Sequence, residues 1–384
     1  MKKYKIVYCT PSLYIPGGVE RVLTTKANYF ADVLGYEIYI VITDGKDKTP
    51  YFELSSKIHI VQLDINFEQL WNRNFLSKIV LYLIKQRIYK KRLTKILFDI
   101  KPDFTISLLR REINFITKIK DGSFKIGELH VNRNNFRNFE GKETNILKKF
   151  FSKIWMINLS KRLIELDKLV VLTNEDKNNW SDLSNVVVIN NPIENKSKNV
   201  SSLNNKRVIA VGRYVYQKGF DLLLEAWAIV LKKHADWHLY IYGYGDKDFY
   251  IDYANKLGII NNCHIMNAVG NIDDEFAISS IFAFSSRFEG FGMVLVEAMS
   301  CGLPCVSFDC PCGPKDIIDD GKNGFLIKNY NIEEFAEKLI NLINDDTKRI
   351  IMGYEAMLSS KRYKIDKIAN NWKLLFDKLY FIGK

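Results

Sequence analysis

The chain has no run of about 18 to 20 uninterrupted apolar residues, so no helix is expected to cross a bilayer. Six cysteines in 384 residues are too few for a disulfide scaffold. Four of them, Cys301, Cys305, Cys310 and Cys312, lie close together, but with 3, 4 and 1 residues between them rather than as paired knuckles. Small buried or loop residues describe them better than a metal centre does, and no metal is expected. The dinucleotide fingerprint is missing as well: Gly17-Gly18 lacks the third glycine, and Gly243-Tyr244-Gly245 runs into Asp246-Lys247-Asp248. There is no phosphate-loop lysine motif and no Asp-x-Asp run in a metal-placing context. Beyond charge, no nucleic-acid-binding motif is present.

What remains is 47% hydrophobic and 26% charged, the balance of a soluble globular protein, with length enough for two cores. The N-terminal MKKYKIVYCTPS is basic and then apolar. Its apolar run is too short for a signal peptide and leads into a glycine turn, so it reads as a first strand of a protein on the cytoplasmic side. Apolar, β-rich runs at 6–9, 37–42, 58–63, 104–109, 125–129, 169–173 and 186–190 alternate with helical patterns. A second series follows at 207–211, 238–242, 264–266, 281–286, 304–308 and 324–327. Such alternation predicts βα units and parallel sheets in two Rossmann-like domains, 1–190 and 207–363. The stretch 191–206, opening Asn191-Pro192 and then polar, is the candidate linker. A final helical pattern at 364–380 has no strand after it.

The run SSRFEGFGMVLVEAMSCGLPC holds two carboxylates, Glu289 and Glu297, with seven residues between them and a Gly290-Phe291-Gly292 turn after the first. A strand feeds the turn and a helix leaves it, which places Glu289 at a loop mouth and Glu297 inside the helix. Amides at the helix start attract anions, glycine lets a ligand approach the backbone, and carboxylates accept hydrogen bonds from hydroxyls. A phosphate-bearing sugar fits that set; the plainer reading is a surface helix with two solvated glutamates. Upstream, the strand ending at Gly212 leads to Arg213 and Lys218 on one strand-to-helix loop, a fork and a point charge suited to a diphosphate or, more plainly, two solvated cations. The first strand runs into Pro16-Gly17-Gly18-Val19-Glu20-Arg21, where the glycine pair is either a close-approach site or an ordinary tight turn.

Net charge is +12. Segments 78–101 and 142–168, the second carrying Phe150, Phe151 and Trp155, are apolar and basic at helical spacing. Such helices can lie in an anionic membrane interface, or pack their stripe on a core and leave the cations in water.

Together GGVER, VGRYVYQKGFDLLLEAW, IYGYGD and FEGFGMVLVEAMSCGLPCVSFD resemble the retaining glycosyltransferases of family 4, as found in bacterial capsule and lipopolysaccharide synthesis. The resemblance covers essentially the whole chain and implies an α/β protein of GT-B fold, two Rossmann-like domains whose parallel sheets face an interdomain cleft. By the same resemblance the last helix, 364–384, belongs with the first domain. It further implies that Glu289 holds sugar hydroxyls, Glu297 the nucleotide ribose, and Arg213 and Lys218 the diphosphate. Backbone amides from Gly290, Phe291, Gly292, Met293 and Val294 would face sugar and phosphate, and Gly17-Gly18 would approach the same ligand. His130, in the run GELHVN at the carboxyl edge of a predicted strand, would touch the donor sugar. The expected reaction is metal-independent front-face transfer of a hexose or N-acetylhexosamine from a nucleotide sugar, UDP-linked by expectation, to a lipid-linked or polysaccharide acceptor at the inner membrane face. Nucleic acid is not an expected partner. Asn267, where relatives carry glycine, and the missing proline in Tyr244-Gly245-Asp246 bear on the base pocket. The alternatives are a sugar-nucleotide epimerase of the same fold and a non-catalytic basic module binding nucleic acid or membrane.

Overall fold

A computed structural model describes residues 2–70, 74–133, 158–194 and 199–382. Phe150, Phe151 and Trp155 of the second basic segment, and 195–198 of the candidate linker, lie outside the described residues.

The chain divides into two compact units, one of residues 1–192 with 365–384 and one of residues 193–364. The first holds a seven-stranded parallel sheet in the order β3-β2-β1-β4-β5-β6-β7. Its strands are β1 Lys5–Thr10, β2 Glu37–Ile42, β3 His59–Gln62, β4 Phe104–Ser107, β5 Phe124–Glu128, β6 Lys168–Val171 and β7 Val186–Val188. Side chains alternate across a strand, so Val7 and Cys9 of β1 enter one core while Ile6 and Tyr8 enter the other. Both faces being covered, the strand needs apolar residues at consecutive positions, and this is why it reads as a continuous run rather than an alternating one.

The helix Gly18–Asp32 covers one of those faces. Its buried residues run from 22 through 27 and resume at 30 and 31, and the apolar ones, Val22, Leu23, Ala27, Phe30 and Ala31, fall at the spacing of a helical stripe. One member of the stripe, Lys26, is charged. The C-terminal helix Ile365–Ile382 lies on the same core through Ile368, Ala369, Trp372 and Phe376. The Phe376 ring sits 4.5 Å from that of Phe104, and Tyr4 Oη donates to Asp377 Oδ1 at 2.6 Å.

In the second unit six parallel strands run β10-β9-β8-β11-β12-β13. They are β8 Arg207–Val211, β9 His238–Gly243, β10 Cys263–Asn267, β11 Ile281–Phe284, β12 Cys305–Phe308 and β13 Gly324–Ile327. The seven and six strands expected from the apolar runs are the seven and six found among the described residues. Part of the polar stretch before β8 is fastened to this unit: Ser201 N donates to Cys301 O at 2.9 Å, and Arg349 Nε to Leu203 O at 3.0 Å.

Candidate active site

In an open parallel sheet, ligands bind beyond the carboxyl ends of the strands where the strand order reverses. For the second sheet that point lies between β8 and β11. The loop after β8 carries Arg213 and Lys218, and the loop after β11 carries Glu289 and its glycine turn. Lys218 Nζ donates to Glu289 Oε1 at 2.6 Å, and Ser286 Oγ donates to the same oxygen at 2.6 Å. The Lys218 and Glu289 side chains are 14% and 9% exposed, so the pair is shielded yet reachable. A short charge-assisted bond of this kind fixes both groups without sealing them. Arg213 is exposed, with Nη2 3.4 Å from Gln217 Oε1.

Close approach of the two loops brings the pair together. Gly219 has φ +61°, and a Cβ there would lie 2.1 Å from the Ser285 carbonyl oxygen, so only glycine allows this contact. The aliphatic stem of Lys218 lies against Gly212, where a Cβ would meet its carbons at 3.0 Å. Ser285 Oγ donates to Lys218 O at 2.8 Å. Arg287 forks onto Asp221 at 2.8 and 2.6 Å, donates to Tyr216 O at 2.8 Å, and stacks over the Tyr216 ring. Gln217 Nε2 donates to Phe288 O at 2.9 Å. Residue type and spacing do not point to Arg287, Ser286 or Gln217. Their signal is position alone, inside or beside SSRFEG and QKGF.

The helix Met293–Ser300 starts at Gly292, which has φ +94°, and no side chain caps it. Its first amides therefore keep the donor capacity and positive end of a helix start. Leu295, Val296, Ala298 and Met299 are buried, whereas Met293, Val294 and Glu297 are half-buried on the other face. Glu297, one turn after Met293, thus shares the more open face with the helix start. Gly290 is half-buried, and Phe291 is buried with its ring 5.4 Å from that of Tyr363.

Gly17, Gly18 and His130 belong to the first unit. Gly17 precedes the helix Gly18–Asp32, which has no side-chain cap, and Gly18 is exposed with nothing within 4 Å of a built Cβ. His130 stands two residues past β5, at the same carboxyl edge as the β1 turn, with only β4 between the two strands. Its side chain is 6% exposed, and Nε2 lies 3.3 Å from Glu128 Oε1 without the alignment of a hydrogen bond. Lys26 donates to that same Glu128 oxygen. Burial pushes the Glu128 carboxyl up, but the Lys26 ammonium and His130 outweigh it and hold the group at about 2.

Among the described residues no three His, Cys, Asp or Glu side chains gather as a metal site, and no helix is long and apolar enough to cross a membrane. Cys301, Cys305, Cys310 and Cys312 are buried thiols.

Residues 192–358 match the family Glycosyl transferases group 1. The chain is 29% identical over 376 residues to an uncharacterized glycosyltransferase of Haemophilus influenzae, covering 96% of this chain and 99% of that one. It is 30% identical over 257 residues to the poly(ribitol-phosphate) alpha-N-acetylglucosaminyltransferase of Staphylococcus aureus, across 66% of this chain and 50% of that protein, so it spans half of that relative's length. Among solved structures, a mutant of S. aureus TarM in complex with fondaparinux, alpha-GlcNAc-glycerol and UDP gives a TM-score of 0.74 at 18% identity, over 97% of this chain and 100% of that chain. The likeness at that identity is one of fold, two parallel α/β sheets of GT-B type.

Proposed function

Since residues 192–358 match the group 1 glycosyltransferases, we propose that the chain is a retaining enzyme of that family and moves a hexose or N-acetylhexosamine from a UDP-linked donor to a lipid-linked or growing polysaccharide acceptor. The observation that carries the reading is the Lys218–Glu289 pair at the switch point of the second sheet, beside an uncapped helix start. Lys218, Arg213 and the amides of Gly292, Met293 and Val294 hold the diphosphate and supply positive potential where charge grows on its β-phosphate. Once Lys218 turns to phosphate, Glu289 is released to accept hydrogen bonds from sugar hydroxyls. Glu297, on the same helix face as Met293, takes the ribose, Gly17 and Gly18 give backbone approach, and His130 touches the sugar.

The transfer is a front-face substitution. The anomeric carbon's bond to the β-phosphate oxygen breaks as its bond to the acceptor oxygen forms on the same face, and the acceptor hydroxyl proton passes to the departing phosphate oxygen. Glu289 orients the donor and steadies positive charge at the anomeric carbon without attacking it. The cationic groups carry the charge stabilisation, so no metal has a required role.

The membrane face of the cell is the proposed workplace. On the helix Phe75–Ile100, Tyr89, Leu93 and Leu97 enter the core, yet Ile79, Val80, Leu83, Ile84 and Ile88 are exposed at i, i+4 spacing, flanked by exposed Arg87, Lys90, Lys91 and Lys95. An aliphatic stripe with a cationic border suits an anionic lipid surface. The deciding assay incubates purified protein with a panel of UDP- and GDP-sugars and reads binding and diphosphate release. Failure to bind any nucleotide sugar would sink the proposal.

A further inference from the structure

We propose that Lys26 and Glu128 are positioning residues for sugar transfer, a buried ion pair in the first unit whose shared carboxylate oxygen orients the His130 imidazole. This rests on the glycosyl-transfer reading and on the place of His130 in it. Neither residue touches substrate in the proposal; both act through the histidine.

Lys26 occupies a slot suited to an apolar side chain. Position 26 lies on the buried stripe of its helix between Val22 and Phe30, where an aliphatic residue would serve the core. Lys26 and Glu128 side chains are 1% and 2% exposed. A buried ion pair is commonly no more stabilising than apolar residues of the same volume, so stability alone does not account for charge here.

Lysine and histidine also converge on one atom. The oxygen of Glu128 that accepts from Lys26 is the one 3.3 Å from His130 Nε2. Lys26 Nζ further sits 4.6 Å from the Trp372 ring centre and 5.9 Å from that of Tyr8, so β1 and the C-terminal helix close the other sides. The lysine therefore fixes the carboxylate, and the carboxylate faces one chosen nitrogen of the imidazole. With Nε2 turned to an anion, the proton belongs on Nε2 and Nδ1 is left to accept from a sugar hydroxyl, the logic by which outer partners set the tautomer of functional histidines.

Unsatisfied polar atoms separate this cluster from an ordinary core pair. Glu128 Oε2 and Tyr8 Oη are buried without a hydrogen-bond partner, and His130 Nε2 has only the poorly aligned Glu128 oxygen. Buried polar groups are usually satisfied, so incomplete bonding around this one ion pair calls for a reason beyond packing.

The test replaces both charges at once, because Lys26→Met alone strands a buried carboxylate. In K26M/E128L the fold should persist with a melting temperature near that of the wild type, while kcat falls about tenfold or more and the donor KM stays within roughly twofold. H130A should lower kcat by about a hundredfold, and the triple variant should be no slower than H130A, since the pair acts through the histidine. K26L/E128M, a second neutral pair of different shape, should lower kcat in the same way, and it decides the matter if K26M/E128L does not fold. Imidazole nitrogen chemical shifts should report Nε2–H in the wild type and a mixture of tautomers in K26M/E128L. Wild-type kcat in K26M/E128L, losses that multiply in the triple variant, a silent H130A, or unchanged nitrogen shifts would each overturn the proposal. Absence of turnover with every donor refutes the glycosyl-transfer reading itself, and the nitrogen shifts, which need no donor, still decide whether the pair orients His130.

Discussion

Each unit holds a lysine–glutamate pair near the carboxyl edge of a parallel sheet, the cation on the segment after the first strand and the carboxylate at the end of a later strand or in the loop beyond it. Lys26 and Glu128 are almost wholly enclosed, whereas Lys218 and Glu289 are 14% and 9% exposed. The same two functional groups therefore face different chemistry. An enclosed pair has nothing to exchange partners with and holds its geometry. A pair at a loop mouth can trade carboxylate for phosphate, which is what a donor site requires. Removing one member should accordingly cost fold in the first unit and turnover in the second.

The largest effect expected is on stability. Lys26→Ala leaves Glu128 buried and uncompensated and should cost about 3–5 kcal/mol. Lys218→Ala leaves Glu289 with Ser286 Oγ at 2.6 Å and access to water, and should cost roughly 1–2 kcal/mol. Urea unfolding of the two variants side by side measures the contrast, and equal losses would erase the distinction between the pairs.

Turnover should show the reverse order. Glu289→Ala and Lys218→Ala should each lower kcat by about 10²–10³, the scale for losing a preorganised electrostatic partner of the transition state. Both proteins should melt cooperatively. Full activity in either, assayed by diphosphate release, would remove that residue from the proposed chemistry.

Acid should set the enclosed pair apart in a second way. The Glu128 carboxyl is held at about 2, below its ordinary value of about 4.3. A depressed folded value means that its contribution to stability is complete above the unfolded value and disappears as pH falls through the folded one. Lys26 stays protonated in both states over that range. Between about pH 4.3 and 2 the wild type should thus lose stability that K26M/E128L does not lose. Parallel unfolding midpoints for the two proteins down to about pH 2 would show that the pair stores no such energy.

How much of this was legible follows from how local each signal is. The strands were, because a parallel sheet covered on both faces demands unbroken apolar runs such as those of β1 and β2. Lys218 and Glu289, 71 residues apart, were readable only because each stands beside glycines that mark a loop mouth. The Lys26–Glu128 pair joins positions 102 apart with no such marker, and a lysine in a helix reads by default as a solvated face. Arg287 was hidden for another reason: its work is to clip two loops through Asp221 and the Tyr216 carbonyl, contacts that no spacing rule announces. The helix Phe75–Ile100 looked like one apolar stripe in sequence. It carries two, because the packed face of Tyr89, Leu93 and Leu97 leaves Ile79, Val80, Leu83 and Ile84 outside.

That outer stripe gives the prediction with the smallest effect per residue, and it belongs to the first unit alone. Not every cation of 85–95 is available to a lipid surface. Lys85 donates to the carbonyls of Ile65 and Asn66, and Arg92 to those of Leu63 and Asp64, so both tie the helix to the loop after β3. Arg87, Lys90, Lys91 and Lys95 are exposed. Replacing these four with serine should weaken binding to vesicles containing phosphatidylglycerol by about 1 kcal/mol per cation at low salt, with the wild-type advantage shrinking as salt is raised. Affinity for a nucleotide sugar should not move, because none of the four cations belongs to the proposed donor site. Replacing Lys85 and Arg92 instead should lower the melting temperature more than it lowers vesicle binding, because those two spend their charge on backbone carbonyls. Equal vesicle binding by the wild type and the four-serine variant would leave the cationic border as a solvated face and the exposed aliphatics without a lipid partner.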